Sequence, residues 1–122
     1  MPIGSANVVR WRKADVCRLT ANRYARPVAT DLLIDGMLSG TGVRDAVQGG
    51  YLQPEAVGLS TSLVADVADW QRRYEDAHFA GFPEDAVASL DEEGLALRLR
   101  VQAELPKKGV GYFSNGRMTR LA

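Results

Sequence analysis

One cysteine and one histidine in 122 residues leave little from which to build thiol or metal chemistry. Cys17 alone cannot close an internal disulfide, so nothing asks for an oxidising compartment and the cytoplasm is the expected location. A zinc centre needs several nitrogen or sulfur ligands, and none is expected here. No apolar run approaches the roughly 20 residues that span a bilayer, so no membrane association is expected. Residues 1–10 lack the continuous apolar segment of a secretory signal. Internal repeats and low-complexity stretches are missing too, and the formal net charge is zero. Wholesale disorder is not expected from an ordinary balance of 46% hydrophobic and 25% charged residues. A chain of this length holds one domain with a real core, so residues 1–122 read as a single domain, with residues 1–7 a loose, small and polar arm.

Catalytic signatures are equally scarce. No G-x-S-x-G elbow occurs, and Gly58-Leu59-Ser60 reads as the start of a helix. The glycines at 36–42 and 49–50 fit neither the P-loop nor the dinucleotide spacing. Cys17 sits in an apolar alternation without a local base, the setting of a small buried hydrophobe. Asp91, Glu92 and Glu93 read as the first turn of a helix, where carboxylates favour the dipole. His78 falls at the end of the preceding helix, facing its last carbonyls or solvent. The expectation is a protein with no catalytic residue, metal ligand or cofactor site, and not an enzyme.

What the chain does have is periodicity. Leu63, Val67, Trp70 and Tyr74 recur at spacings of four, three and four, which places them on one helical face. Ser60 or Thr61 can cap that helix, and Gly81 and Pro83 end it. Ser89 and Glu92 have capping-box spacing, so a second helix is expected from there, with a turn at 83–88 before it. Its stripe is Leu90, Gly94, Leu97, Val101 and Leu105, widened by Leu95 and Leu99, and Pro106 stops it. Gly94 costs about 1 kcal/mol relative to alanine in a helix, so its place on the stripe points to a close approach by another element.

Strands are expected on both sides of this helical block. Residues 16–21 alternate apolar and polar, residues 8–13 read as either an edge strand or part of the arm, and residues 22–27 form a bend. Residues 28–34 are apolar and run into Asp35-Gly36, which predicts a tight type I′ hairpin with Met37-Leu38 opening the return strand. Residues 39–50 read as a flexible connector with a short turn around 43–47. Val110-Gly111-Tyr112-Phe113 is a strand, and Asn115-Gly116 predicts a second hairpin returning through residues 117–121. Strands, two helices and strands in that order imply an α+β architecture: an antiparallel or mixed sheet with two amphipathic helices packed on one face.

Charge is uneven along the chain: +3 over residues 1–50, −7 over 51–105 and +4 over 106–122. On the first helix Asp66, Asp69, Arg73 and Asp76 run beside the apolar stripe, with Glu75 adjacent. These residues are either a solvated helix face or a surface that attracts a basic partner. At the N-terminal end Arg10, Arg12, Lys13, Arg18, Arg23 and Arg26 are interleaved with Trp11 and Tyr24, a pattern that can grip nucleic acid by stacking and phosphate contact. No RNP, zinc or helix-turn-helix signature accompanies it. Trp11 serves equally well for packing or for anchoring a protein.

Leu59-Ser60, Leu63, Trp70, Tyr74, Glu93-Gly94, Leu97, Leu99, Gln102-Ala103-Glu104-Leu105 and Tyr112-Phe113 together resemble small, mostly uncharacterised bacterial proteins. Some of these are associated with immunity to polymorphic or contact-delivered toxins. The resemblance covers residues 52–117, with a weaker echo at Arg18-Leu19, Tyr24 and Pro27-Val28. The chain departs from the pattern in its basic N-terminal extension and at 37–50, which looks like an insertion. The resemblance implies a toxin-neutralising protein that occludes a toxin domain or other enzyme without turnover, and it carries over no catalytic residue. Partner contact is expected at Asp66, Asp69, Arg73, Glu75, Asp76 and Trp11. The alternative is a nucleic-acid-binding or regulatory module built on the basic N-terminal segment.

Overall fold

The computed structural model describes residues 30–122. Trp11, Cys17 and the expected elements at 8–13, 16–21 and 22–27 lie outside the described residues, as do Val28 and Ala29. The described chain runs β1 (Asp31–Asp35), β2 (Gly42–Asp45), α1 (Thr61–Phe79), α2 (Glu84–Glu104), β3 (Gly109–Ser114) and β4 (Thr119–Arg120). The sheet order is β2-β1-β3-β4. β1 pairs antiparallel with β2 and parallel with β3, and β3 pairs antiparallel with β4. The sheet is therefore mixed, and both helices pack on one face of it, an α+β fold.

Period-two alternation selects the buried face. Leu32 and Ile34 of β1 lie level with Val110 and Tyr112 of β3, and Val43 of β2 pairs with Ile34. These five residues join Leu63, Val67, Trp70 and Tyr74 of α1 and Leu90, Leu97 and Val101 of α2 in one core. The four-three-four spacing of α1 thus marks its buried ridge. Trp70 meets Tyr74 edge-on with ring centroids 5.3 Å apart, and its indole N–H donates to the Leu90 carbonyl at 2.9 Å. Gly94 has the close neighbour its position implied: a β-carbon there would overlap the Tyr112 ring, with the phenol oxygen only 2.8 Å away.

Helix ends follow local chemistry. Ser60 caps α1, its hydroxyl accepting from the Leu63 N–H at 3.3 Å, and Gly81 follows the helix with φ of 79°. The start of α2 differs from expectation. The helix runs unbroken from Glu84, with Pro83 as the preceding residue, so Ser89 and Glu92 are exposed interior positions and form no capping box. Proline just before the first turn sets the entering φ and needs no N–H, so it starts the helix where the capping-box pattern could not. Leu99 does not widen the buried stripe, being 59% exposed.

Both expected two-residue turns are longer. Asp35 pairs with Gly42, leaving residues 36–41 as the connection, and Met37-Leu38 belongs to that loop, not to a strand. β2 occupies part of the stretch expected to be a flexible connector. Ser114 pairs with Thr119, leaving residues 115–118 as the second connection. A type I′ turn needs positive φ at both central residues. Asn115 and Gly116 do not adopt it, and Met118 does, with φ of 54°. The reason in both cases is a buried carboxylate that claims the turn residues.

Candidate functional site

Because β1 and β3 are parallel neighbours, their carboxyl ends emerge side by side, the place where loops gather in such sheets. Asp35 closes β1 and is fully buried. It accepts from the Met37 N–H at 3.1 Å and the Tyr51 hydroxyl at 3.2 Å, pairs with Arg44 Nη1 at 3.0 Å, and accepts from the Asn115 side-chain amide. Asp91 reaches the same end from α2. It accepts from the Tyr112 hydroxyl at 2.6 Å, the Ser114 hydroxyl at 2.7 Å, the Tyr74 hydroxyl at 2.8 Å and Arg117 Nε at 3.2 Å. Buried charge persists only when paired and hydrogen-bonded in this way.

Each carboxylate thereby fastens a loop. Asp35 shapes the 36–41 connection, and both carboxylates hold the 115–118 connection through Asn115 and Ser114. The Tyr74 hydroxyl, besides donating to Asp91, accepts from the Gly116 N–H at 3.0 Å. Burial pushes Tyr74 and Tyr112 above the ordinary phenol value, with the hydrogen bond to Asp91 adding to the effect at Tyr112. Neither phenol is a ready proton donor at neutral pH. Their chemistry here is to orient the turn.

His78 differs from the expected helix cap. Its Nε2 lies 2.9 Å from the Gly36 carbonyl, so that nitrogen carries the proton and donates it. The ring also packs on Phe82, with centroids 4.7 Å apart. The α1–α2 connection therefore joins the two strand connections at this end. Among the described residues no group of three or more His, Cys, Asp or Glu side chains is placed to hold a metal ion.

The charged residues singled out on α1 fall into two places. Asp66, Asp69 and Arg73 come together with Glu93 and Arg100 of α2, lining a groove of about 290 Å³ between the helices. Arg100 bonds Asp66 at 2.8 Å, Arg72 and Arg73 bond Asp69 at 2.8 and 2.9 Å, and Arg73 bonds Glu93 at 2.5 Å. Hydrogen bonds from Arg72 and Arg73 hold the Asp69 carboxyl below its ordinary value, and Arg73 does the same for Glu93. The Arg73–Glu93 pair is partly exposed, which limits such a contact to about 0.2–1 kcal/mol. Glu75 and Asp76 lie further along the helix. Glu75 accepts from the Ser39 N–H at 2.9 Å, and Asp76 lies 3.7 Å from Arg72.

The acidic stripe is therefore a ladder of alternating charge, with arginines from both helices neutralising much of it. Arg72 was missed as a member although it lies on the same helix, three residues after Asp69 and four before Asp76. Glu93 and Arg100 were missed because cross-helix partners leave no local spacing. Asp35, Asp91, Tyr74, Tyr112, Ser114 and Arg117 were missed as one cluster for a similar reason. One signal was present: with α2 starting at Glu84, Asp91 falls on the apolar stripe between Val87 and Gly94. A carboxylate on a buried stripe demands partners.

No family model matches the chain, and no curated protein or solved structure matches it either. No helix among the described residues is long and apolar enough to cross a membrane.

Proposed function

We propose that this chain is a partner-binding protein of the immunity type, which occludes a cognate protein toxin or similar enzyme without turnover. One observation carries the reading. The two carboxylates at the strand ends, 0% and 4% exposed, have their acceptor sites filled by donors from the surrounding loops. A general base needs a lone pair open to substrate; these carboxylates instead fix the shape of a surface. A charged face lies beside that surface: the ion pairs of Asp66, Asp69 and Arg73 between α1 and α2, with Glu75 and Asp76 further along α1. Paired charges held in place favour recognition and association rate over raw affinity. The lone Cys17 fits a reducing cytoplasm.

Affinity purification from the native host, followed by mass spectrometry, tests the reading. The expected result is one stoichiometric protein partner with enzymatic activity that the chain suppresses. Charge reversal by Asp66→Lys with Asp69→Lys weakens that complex while circular dichroism stays unchanged. RNA or DNA recovered in place of a protein would replace this reading with nucleic-acid binding.

A further inference from the structure

Seven large apolar side chains are exposed among the described residues; three of them (Met37, Leu38 and Met118) belong to the connections at the carboxyl ends of β1 and β3, and a fourth, Phe79, ends α1 next to His78, which bonds Gly36 of the first connection. Phe79 is 79% exposed and Met118 69%. Apolar residues scattered singly over a surface are ordinary, but a concentration on one end is not. The backbone beneath them is held. His78 and Glu75 tie the 36–41 connection to α1 at 2.9 Å each. The Gly116 and Arg117 N–H groups are bound by the Tyr74 and Ser114 hydroxyls at 3.0 and 3.1 Å. Phe82, at the tip between the helices, sits at φ of 58°, a conformation that costs a non-glycine residue energy. Apolar side chains presented from a fixed backbone lose little entropy when they dock.

The rim of this end is acidic. Glu75 and Asp76 lie near the end of α1, Asp76 facing Arg72 at 3.7 Å, and Glu84 and Asp85 open α2. The cation on the turn, Arg117, is paired with the buried Asp91. Between Phe82, Val87, Gly116 and Arg117 lies a cleft of about 240 Å³, room for one side chain of a partner.

From this we infer that the strand-end loops and the adjoining end of α1 are the docking surface, with Phe79 and Met118 as apolar anchors, and that the occupant is a protein whose basic cleft contains an apolar recess. This rests on the partner-binding reading and adds the surface and the chemistry of its partner. A benzophenone amino acid placed singly at Phe79, Met118, Asp66 or Leu99 of the full chain, with irradiation in host cells, tests it. Adducts to one protein from positions 79 and 118 are expected, mapped by mass spectrometry to partner peptides rich in Lys or Arg, with none from 99. With that protein purified, Phe79→Ala lowers affinity roughly tenfold or more, whereas Leu99→Ala leaves it within about twofold. Adducts from position 66 or 99 alone would overturn the surface while the partner-binding reading survives. Adducts to nucleic acid, an unchanged affinity in Phe79→Ala, or partner peptides without basic residues would overturn the inference as well. No protein adduct from any position would overturn both.

Discussion

Asp91 shows how one polar side chain governs a region whose bulk is apolar. It is 4% exposed and accepts from three hydroxyls and one guanidinium drawn from α1, β3 and the turn after it. Asp91→Ala leaves three hydroxyl donors without that acceptor, at about 1–3 kcal/mol for each that stays buried and unpaired, while the half-exposed Arg117 turns to solvent. The check is the urea midpoint, which falls well below that of the parent; a midpoint that does not move would mean solvent already satisfies the cluster. Gly94 makes the opposite case, where propensity and packing disagree. Alanine would gain about 1 kcal/mol in helix propensity, but its β-carbon would lie 2.7 Å from Cζ of Tyr112. Overpacking of that kind costs about 1–3 kcal/mol, so Gly94→Ala is net destabilising in the same titration. Stabilisation would mean that the Tyr112 ring moves aside freely. The Gly94 contact could be read from the sequence, since glycine on a buried helical stripe gives up propensity and packing area for room alone. Asp91 could not, because the capping-box pattern at Ser89 and Glu92 placed it in the first turn of a helix that in fact begins at Glu84, seven residues before Asp91.

The helix pair is joined at its open end by a contact between elements. Glu104, in the last turn of α2, accepts from both the N–H and the hydroxyl of Ser60, each at 2.7 Å. The same hydroxyl caps α1, so one serine closes the start of one helix and anchors the end of the other. The Ser60 N–H and then its hydroxyl hold the Glu104 carboxyl below its ordinary value. This contribution is present above the usual carboxylate range and fades as pH falls through the lowered value. Ser60→Ala costs about 1 kcal/mol at neutral pH, as loss of a cap does. In a Glu104→Gln background that cost shrinks, and strict additivity of the two changes would show that the residues act separately. Ser60 was legible as a cap and Glu104 was not, for a cap is local and its partner lies 44 positions away. The turns behave in the same way. Asp35-Gly36 and Asn115-Gly116 are hairpin dipeptides by composition, yet Asp35 and Asn115 bind each other in the interior and lengthen both connections.

At the scale of the whole molecule, alternation and helical period were enough to give the layers, but not the order of strands. Nothing local told β1 to pair in parallel with β3 across the helix pair, a contact nearly 80 residues apart in sequence. That pairing nevertheless creates the strand-end site, and it buries phenols there. Tyr112, Tyr74 and Tyr51 are all pushed above the ordinary phenol value, first by burial, with Asp91 or Asp35 reinforcing the shift. Below about pH 10 these phenols are protonated in both folded and unfolded chains, and stability is fully present. Above it the unfolded chain loses its protons first, so stability falls with rising pH until the folded values are passed. Of the four tyrosines, three are therefore expected to ionise at higher pH in the folded chain than a free phenol does. In an alkaline titration, the phenolate absorbance of the folded chain is then expected to lag behind that of the chain unfolded in urea. Folded and unfolded titrations that coincide while the circular dichroism is intact would mean that the strand-end cluster opens separately from the helices. The loops it holds would then be free to rearrange when a partner docks.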